Sequence, residues 1–150
     1  MSNINFAIRG KAINATKLIT QARNFTFIAD EPPALGGNDE GPNPVEYLLG
    51  SYAGCLNVVI NLVAKELNII IHKLQIDIDG DIDPARFTQG ITLNRAGFQN
   101  IHVKIDIKTN SNREKELELI DKSKSRCPIN DNLSNETNIH YFFQEKVNLN

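Results

Sequence analysis

Cysteine is scarce in this chain. Of 150 residues only Cys55 and Cys127 carry a thiol, and they stand 72 positions apart. That spacing fits neither a zinc knuckle nor a disulfide-dense secreted scaffold. An excess of one charge is also missing: 16 Lys and Arg face 18 Asp and Glu, a formal net charge of -2. There is thus no electrostatic case for nucleic acid or an anionic membrane surface as partner. Long apolar runs are absent too. The most apolar stretch, Leu56 to Leu67, is interrupted by Asn57, Asn61, Lys65 and Glu66 and falls short of the roughly 20 apolar residues of a bilayer span. The opening "MSNINFAIRG" lacks the apolar core of about 7 to 15 residues that a signal peptide requires. The expectation is a cytoplasmic protein that engages neither membrane nor nucleic acid.

Histidine is equally thin. His72, His102 and His140 have no ligand spacing, so no metal site is expected. "DIDGDID" alternates with isoleucine as a strand does, and no glutamate closes a calcium-loop frame. "LGGNDEG" is glycine-rich, but no Lys-Ser or Lys-Thr follows, which argues against a phosphate cradle. No cofactor is implied.

What is present suffices for one ordinary core. With 41% hydrophobic and 23% charged residues the chain reads as a single globular domain over residues 1–150. "INFAIRGKAIN" and "TKLITQA" suggest a hairpin around Gly10 to Thr16, and "NFTFIAD" (Asn24 to Asp30) alternates as a half-buried strand. The prolines and glycines between Asp30 and Pro44 make a loop, long enough to be functional or pinned. Asn43 then Pro44 is a helix start, N-cap followed by a proline whose missing N–H costs nothing there, and Glu46 complements the helix dipole. Leu48, Leu49, Tyr52, Leu56, Val59, Ile60 and Val63 recur at helical intervals to about Leu67, while Ala53, Val58 and Leu62 spread the apolar surface beyond one stripe. Such a helix is expected to be enclosed. "LQIDIDGDID" and "IHVKIDIKTN" are strands with one wet face. "NREKELELIDKSKSRC" predicts a charged helix capped by Asn110 or Ser111, with Leu117, Ile120, Lys124 and then Cys127 on its apolar side, stopped by Pro128. "NIHYFFQEKVNL" predicts a closing strand. The order makes an α+β domain around a mainly antiparallel sheet.

Two glycines four apart, Gly50 and Gly54, sit in the enclosed helix, each costing about 1 kcal/mol relative to alanine. With Ser51 and Ala53 they thin one turn, which points first to helix packing and second to close approach of a ligand. Cys55 lies beside them. Two inert buried thiols are one reading of the cysteines; a reactive thiolate needs a positive neighbour to lower its pKa, and Cys55 is too deep in the helix for its N-terminus to help. Glu46, nine residues earlier at about 100° per residue, falls on the opposite face and roughly 13 Å along a straight helix. The two share a site only if the helix breaks or a second subunit contributes.

"GPNPVEYLLGSYAGC" (Gly41 to Cys55), preceded by "DEPPALGG" and followed at a distance by "SRCPINDNL", resembles the OsmC/Ohr family of thiol-dependent peroxidases, in particular its broad OsmC-like branch, from about Arg23 to the C-terminus. The resemblance implies an OsmC-like fold and an intertwined homodimer with the cysteine helices at its centre and two sites at the subunit interface. It implies a redox protein that reduces organic hydroperoxides, with Cys55 peroxidatic, Cys127 resolving, and a small or lipoyl thiol as reductant. The family's acidic residue corresponds to Glu46, although Ohr members hold it one place earlier, where this chain has Val45. Its arginine comes from the N-terminal strands, where Arg9 and Arg23 are available and Arg23 is carried as the site residue; Lys11 or Lys17 would supply charge without a bidentate fork. Tyr52 and the Asp30 to Pro44 loop would wall a pocket suited to an oily peroxide. The alternatives are an OsmC-like dimer that binds a small apolar or thiol-reactive ligand without turnover, and an unrelated α+β fold with two structural thiols.

Overall fold

A computed structural model of the chain describes residues 3–90 and 92–143. Strands β1 (Arg9–Ala12) and β2 (Leu18–Ala22) form the expected antiparallel hairpin, with Gly10 opposite Thr20. Its turn is organised by Asn14, whose Oδ1 accepts from the N–H groups of Thr16 and Lys17 at 3.0 and 2.7 Å, the local bonding that makes asparagine a turn residue. β3 (Phe25–Ala29) pairs with the other edge of β2 after a tight turn that puts Arg23 in the left-handed region, φ 53°. These strands pack chiefly on one another. On the face where Thr20 and Ala29 are buried and Phe27 meets Tyr47, Phe25 stays 63% exposed, so the described residues cover that face only in part.

The loop after β3 is pinned. Asp30, 1% exposed, accepts from the N–H groups of Glu31, Asn38 and Glu40 at 2.9 to 3.3 Å. Burial alone would push its carboxyl up, but the Asn38 N–H, the Thr16 side chain and the N–H groups of Glu40 and Glu31 together hold it below the ordinary value. Close backbone approach requires two of the loop's glycines: a Cβ on Gly37 would stand 1.8 Å from the Glu31 carbonyl oxygen, and one on Gly41 2.4 Å from that of Ile28. Lys17 pairs with Glu40 and ties the hairpin to the loop.

The loop delivers Asn43 to the start of α1 (Pro44–Glu66), where a complete capping box forms. The Glu46 N–H donates to Asn43 Oδ1 at 2.9 Å, and the Asn43 N–H to Glu46 Oε2 at 2.8 Å. Tyr52, Leu56, Val59, Ile60, Val63 and Ala64 form the helix's buried face, packed against β4 (Ile71–Asp81) and α3 (Arg113–Arg126). By length and composition α1 passes for a membrane span, contrary to the sequence reading, which judged its apolar run too short; only 33% of its most apolar 18-residue window is buried by its own chain. Leu48, Val58 and Leu62 remain exposed.

β4 and β5 (Asn100–Thr109) pair antiparallel over their length, with Leu74 opposite Ile107, Ile76 opposite Ile105 and Ile78 opposite Val103 on the face toward the core. Two antiparallel sheets, β1-β2-β3 and β4-β5, thus stand where the pattern suggested one. Between β4 and β5 the chain makes a single helical turn, α2 (Ala85–Gln89). α3 is capped by Asn112, which accepts from the Lys115 N–H, rather than by Asn110 or Ser111; Asn110 instead accepts from the Ile70 N–H. Its buried stripe meets the expectation at Cys127 and at Ile120, which packs on the core, and departs from it elsewhere. Leu117 is 51% exposed, and Leu119, Ser123 and Cys127, four apart, are the buried positions, because the Ser123 hydroxyl satisfies itself on the Leu119 carbonyl at 2.7 Å. Pro128 ends α3 and at once begins α4 (Pro128–Ser134). Asn138 to Phe143 form no strand, and the remainder of the expected closing strand lies outside the described residues.

Candidate active site

α1 carries Cys55 on its core-facing side, and the junction of α3 and α4 carries Cys127. The two sulfurs lie 2.8 Å apart, both as free thiols. That is inside ordinary van der Waals contact and within about 1 Å of a disulfide bond length. Cys127 is 1% exposed, while Cys55 is half-buried. Cys127 serves both helices: it closes α3 and caps α4, its Sγ accepting from the Asn130 N–H at 3.4 Å. Burial and the bonded Cys127 thiol push the Cys55 thiol up from its ordinary value, against the pull of the Ile129 backbone N–H. A second contact holds α1 to the end of α3, a forked pair from Arg126 to Glu66 at 2.5 and 3.0 Å in the bidentate geometry arginine favours.

Tyr52, one turn before Cys55, is 7% exposed and donates its hydroxyl to Asn130 Oδ1 at 2.6 Å. Burial, then proximity to Cys127 and Cys55, pushes its phenol up, so it stays a neutral donor. On its outer side Tyr52 lines a cleft with residues of the α2–β5 connection, β5 and α4; within one chain the Asp30 to Pro44 loop is not part of that lining.

The other two candidates stand apart from the thiols within this chain. α1 is unbroken between Glu46 and Cys55, and the Glu46 carboxylate is engaged in the capping box. Glu46 borders a shallow groove with Leu49, Gly50, Ala53 and Ile78. A Cβ at Gly50 or Gly54 would meet nothing within 4 Å, so no packing among the described residues explains those glycines. Arg23 stacks its guanidinium 5.2 Å from the Phe25 ring centroid on the N-terminal sheet. Of the four named residues, the fold unites Cys55 with Cys127 and leaves Glu46 and Arg23 on surfaces of their own. Among the described residues no group of three His, Cys, Asp or Glu side chains gathers as a metal set would.

Residues 36–141 match the family described as OsmC-like protein. The chain belongs to the OsmC-like family. No curated protein sequence matches it, but solved structures share its fold. An OsmC like protein from Mycoplasma pneumoniae superposes with a TM-score of 0.76 at 22% identity, covering 89% of each chain. An organic hydroperoxide resistance protein from Elizabethkingia anophelis gives 0.64 at 20% identity, covering 87% of this chain and 89% of that one. The organic hydroperoxide resistance protein OhrB of Bacillus subtilis gives 0.56 at 23%, covering 86% and 90%. The sequence reading of this OsmC-like chain missed Tyr52's bond to Asn130 and the α4 cap. The Cys-Pro-x-Asn run held the signal for the cap: a side chain able to accept, then proline at the first helical position.

Proposed function

We propose that this OsmC-like protein is a cytoplasmic thiol peroxidase that reduces organic hydroperoxides. The carrying observation is the 2.8 Å approach of Cys55 and Cys127 from positions 72 residues apart. The Cys55 thiolate attacks the distal oxygen of ROOH, the O–O bond breaks, and ROH leaves with a proton while Cys55 becomes a sulfenic acid. The Cys127 thiolate then attacks that sulfur, water departs, and a Cys55–Cys127 disulfide remains. Two thiols of an external reductant restore both cysteines and leave as its disulfide.

Attack requires a thiolate, and the chain's own contribution pushes Cys55 the other way. A cation from a second copy, Arg23 with Glu46 to orient it, would complete the site in a homodimer. The half-covered α1 and the exposed Phe25 on the N-terminal sheet support this reading. Reduced protein mixed with cumene hydroperoxide should consume one equivalent and yield the Cys55–Cys127 disulfide by peptide mapping, and Cys55→Ser should lose both. Unmodified thiols after exposure would sink the proposal. The raised Cys55 thiol favours one second reading, a dimer that binds a thiol-reactive ligand without turnover; a Cys55 pKa that stays high in the dimer, with no peroxide consumed, selects it.

A further inference from the structure

The connection from α2 to β5, "NRAGFQN" (Asn94 to Asn100), plays no part in the redox reading, yet it is closely built. The Gln99 side-chain amide donates to the carbonyls of Arg95 and Gly97 at 3.0 and 2.9 Å, and the Gln99 backbone N–H to Asp81 at 2.7 Å. Two glycines make room for its side chains. A Cβ on Gly80 would stand 2.8 Å from the Phe98 ring, and one on Gly97 3.2 Å from the Arg95 guanidinium. Phe98 is thereby laid over β4 and Arg95 folded back over its own loop.

The result is a cleft of about 250 Å³ between this loop, β5 and α4. Phe98, Ile101, Val103 and Leu133 give it apolar walls, Tyr52 and Asn130 close it on the side of the thiols, and Arg95 stands on its lining. Among the described residues Arg95 is the only charged side chain lining it, and it has no carboxylate partner. One planar fork matches one carboxylate. A dianionic phosphate would find a single cation, and an uncharged apolar molecule would leave the guanidinium unused. Cleft size argues for a small molecule, since pockets for drug-sized ligands run to roughly 300 to 1,000 Å³.

We propose that this cleft is a binding site for a small monocarboxylate with an apolar tail, the carboxylate on Arg95 and the tail against Phe98, Ile101 and Leu133. The site is separate from the sulfur chemistry. Its near wall is the Tyr52–Asn130 hydrogen bond, and the Asn130 N–H reaches Cys127, so an occupant lies one residue layer from the thiols.

The test is titration of Cys55→Ser protein, which leaves the cleft intact and removes the redox step, with octanoate and in parallel with octanol, followed by NMR shifts of Tyr52, Phe98 and Leu133. Octanoate should saturate these shifts and octanol should not. Arg95→Gln should weaken octanoate by about ten- to hundredfold, the loss of a charge-assisted pair. Gly80→Ala, whose Cβ would press on Phe98 and on the Asn100 carbonyl at the cleft wall without touching the cation, should weaken it too. Equal response to octanoate and octanol, octanoate affinity unchanged in both variants, or no saturable shift in the parent protein would each overturn the proposal. Because peroxide consumption is not measured, the result is independent of whether the protein is a peroxidase.

Discussion

At the level of single residues, the chemistry turns on how Cys55 is held. Its thiol is raised by burial and by Cys127, so in chains too dilute to associate its alkylation by iodoacetamide should accelerate only above the ordinary thiol value of 9.0. Association that brings a cation should move the midpoint down by a measurable step; a profile independent of protein concentration would deny that a second copy supplies the charge. Tyr52→Phe removes the donor to Asn130 and should cost about 1 kcal/mol in urea unfolding. The pairing of Cys55 with Cys127 was legible only from the ordered motifs around them, because no periodicity links positions so far apart. The Tyr52–Asn130 bond was not legible, since it depends on where a short helix after Cys127 turns. Glu46 and Arg23 were named from the family pattern, and within one chain neither reaches the sulfurs.

At the level of elements, Asp30 and Leu119 carry the most. Asp30's folded value lies below the ordinary 3.8, so its contribution to stability is whole above about pH 4 and is lost as pH falls through that lower folded value. Acid titration should release the Asp30 to Pro44 loop before α1 frays, seen as early loss of amide protection at Asn38 and Glu40. Asp30→Asn should abolish that acid step. Leu119, fully buried, joins α3 to α1, and Leu119→Ala should cost roughly 2 to 5 kcal/mol by chemical denaturation. Alternation exposed β3, β4 and β5, and Asn43-Pro44 exposed the start of α1, because those signals are local. Ile120 and Cys127 were legible on the inner side of α3, but Ser123 was not, because a serine counted as polar can bury itself by bonding its own helix, which hydropathy alone does not register.

At the level of the whole molecule, one chain leaves too much uncovered. Val58 and Leu62 on α1 are 64% and 48% exposed, and Gly50 and Gly54 face open space. Sedimentation should find a dimer, with Leu62→Asp shifting it toward monomer and thermal midpoints rising with concentration. Oxidation is expected to act at the same scale. Closing a 72-residue loop adds about 4 kcal/mol in the chain-entropy account, so a peroxide-treated sample should unfold later than a reduced one. A midpoint indifferent to reductant would mean that no such cross-link forms.

The sheet of β1 to β3 meets α1 through Tyr47, whose hydroxyl bonds the Ile28 carbonyl at 2.7 Å and whose ring meets Phe27. During synthesis those strands emerge before α1, with little of their own chain to lean on. If they find their seat on a sister polypeptide, assembly is part of folding itself, and two separately labelled populations of finished protein would trade chains no faster than they come apart.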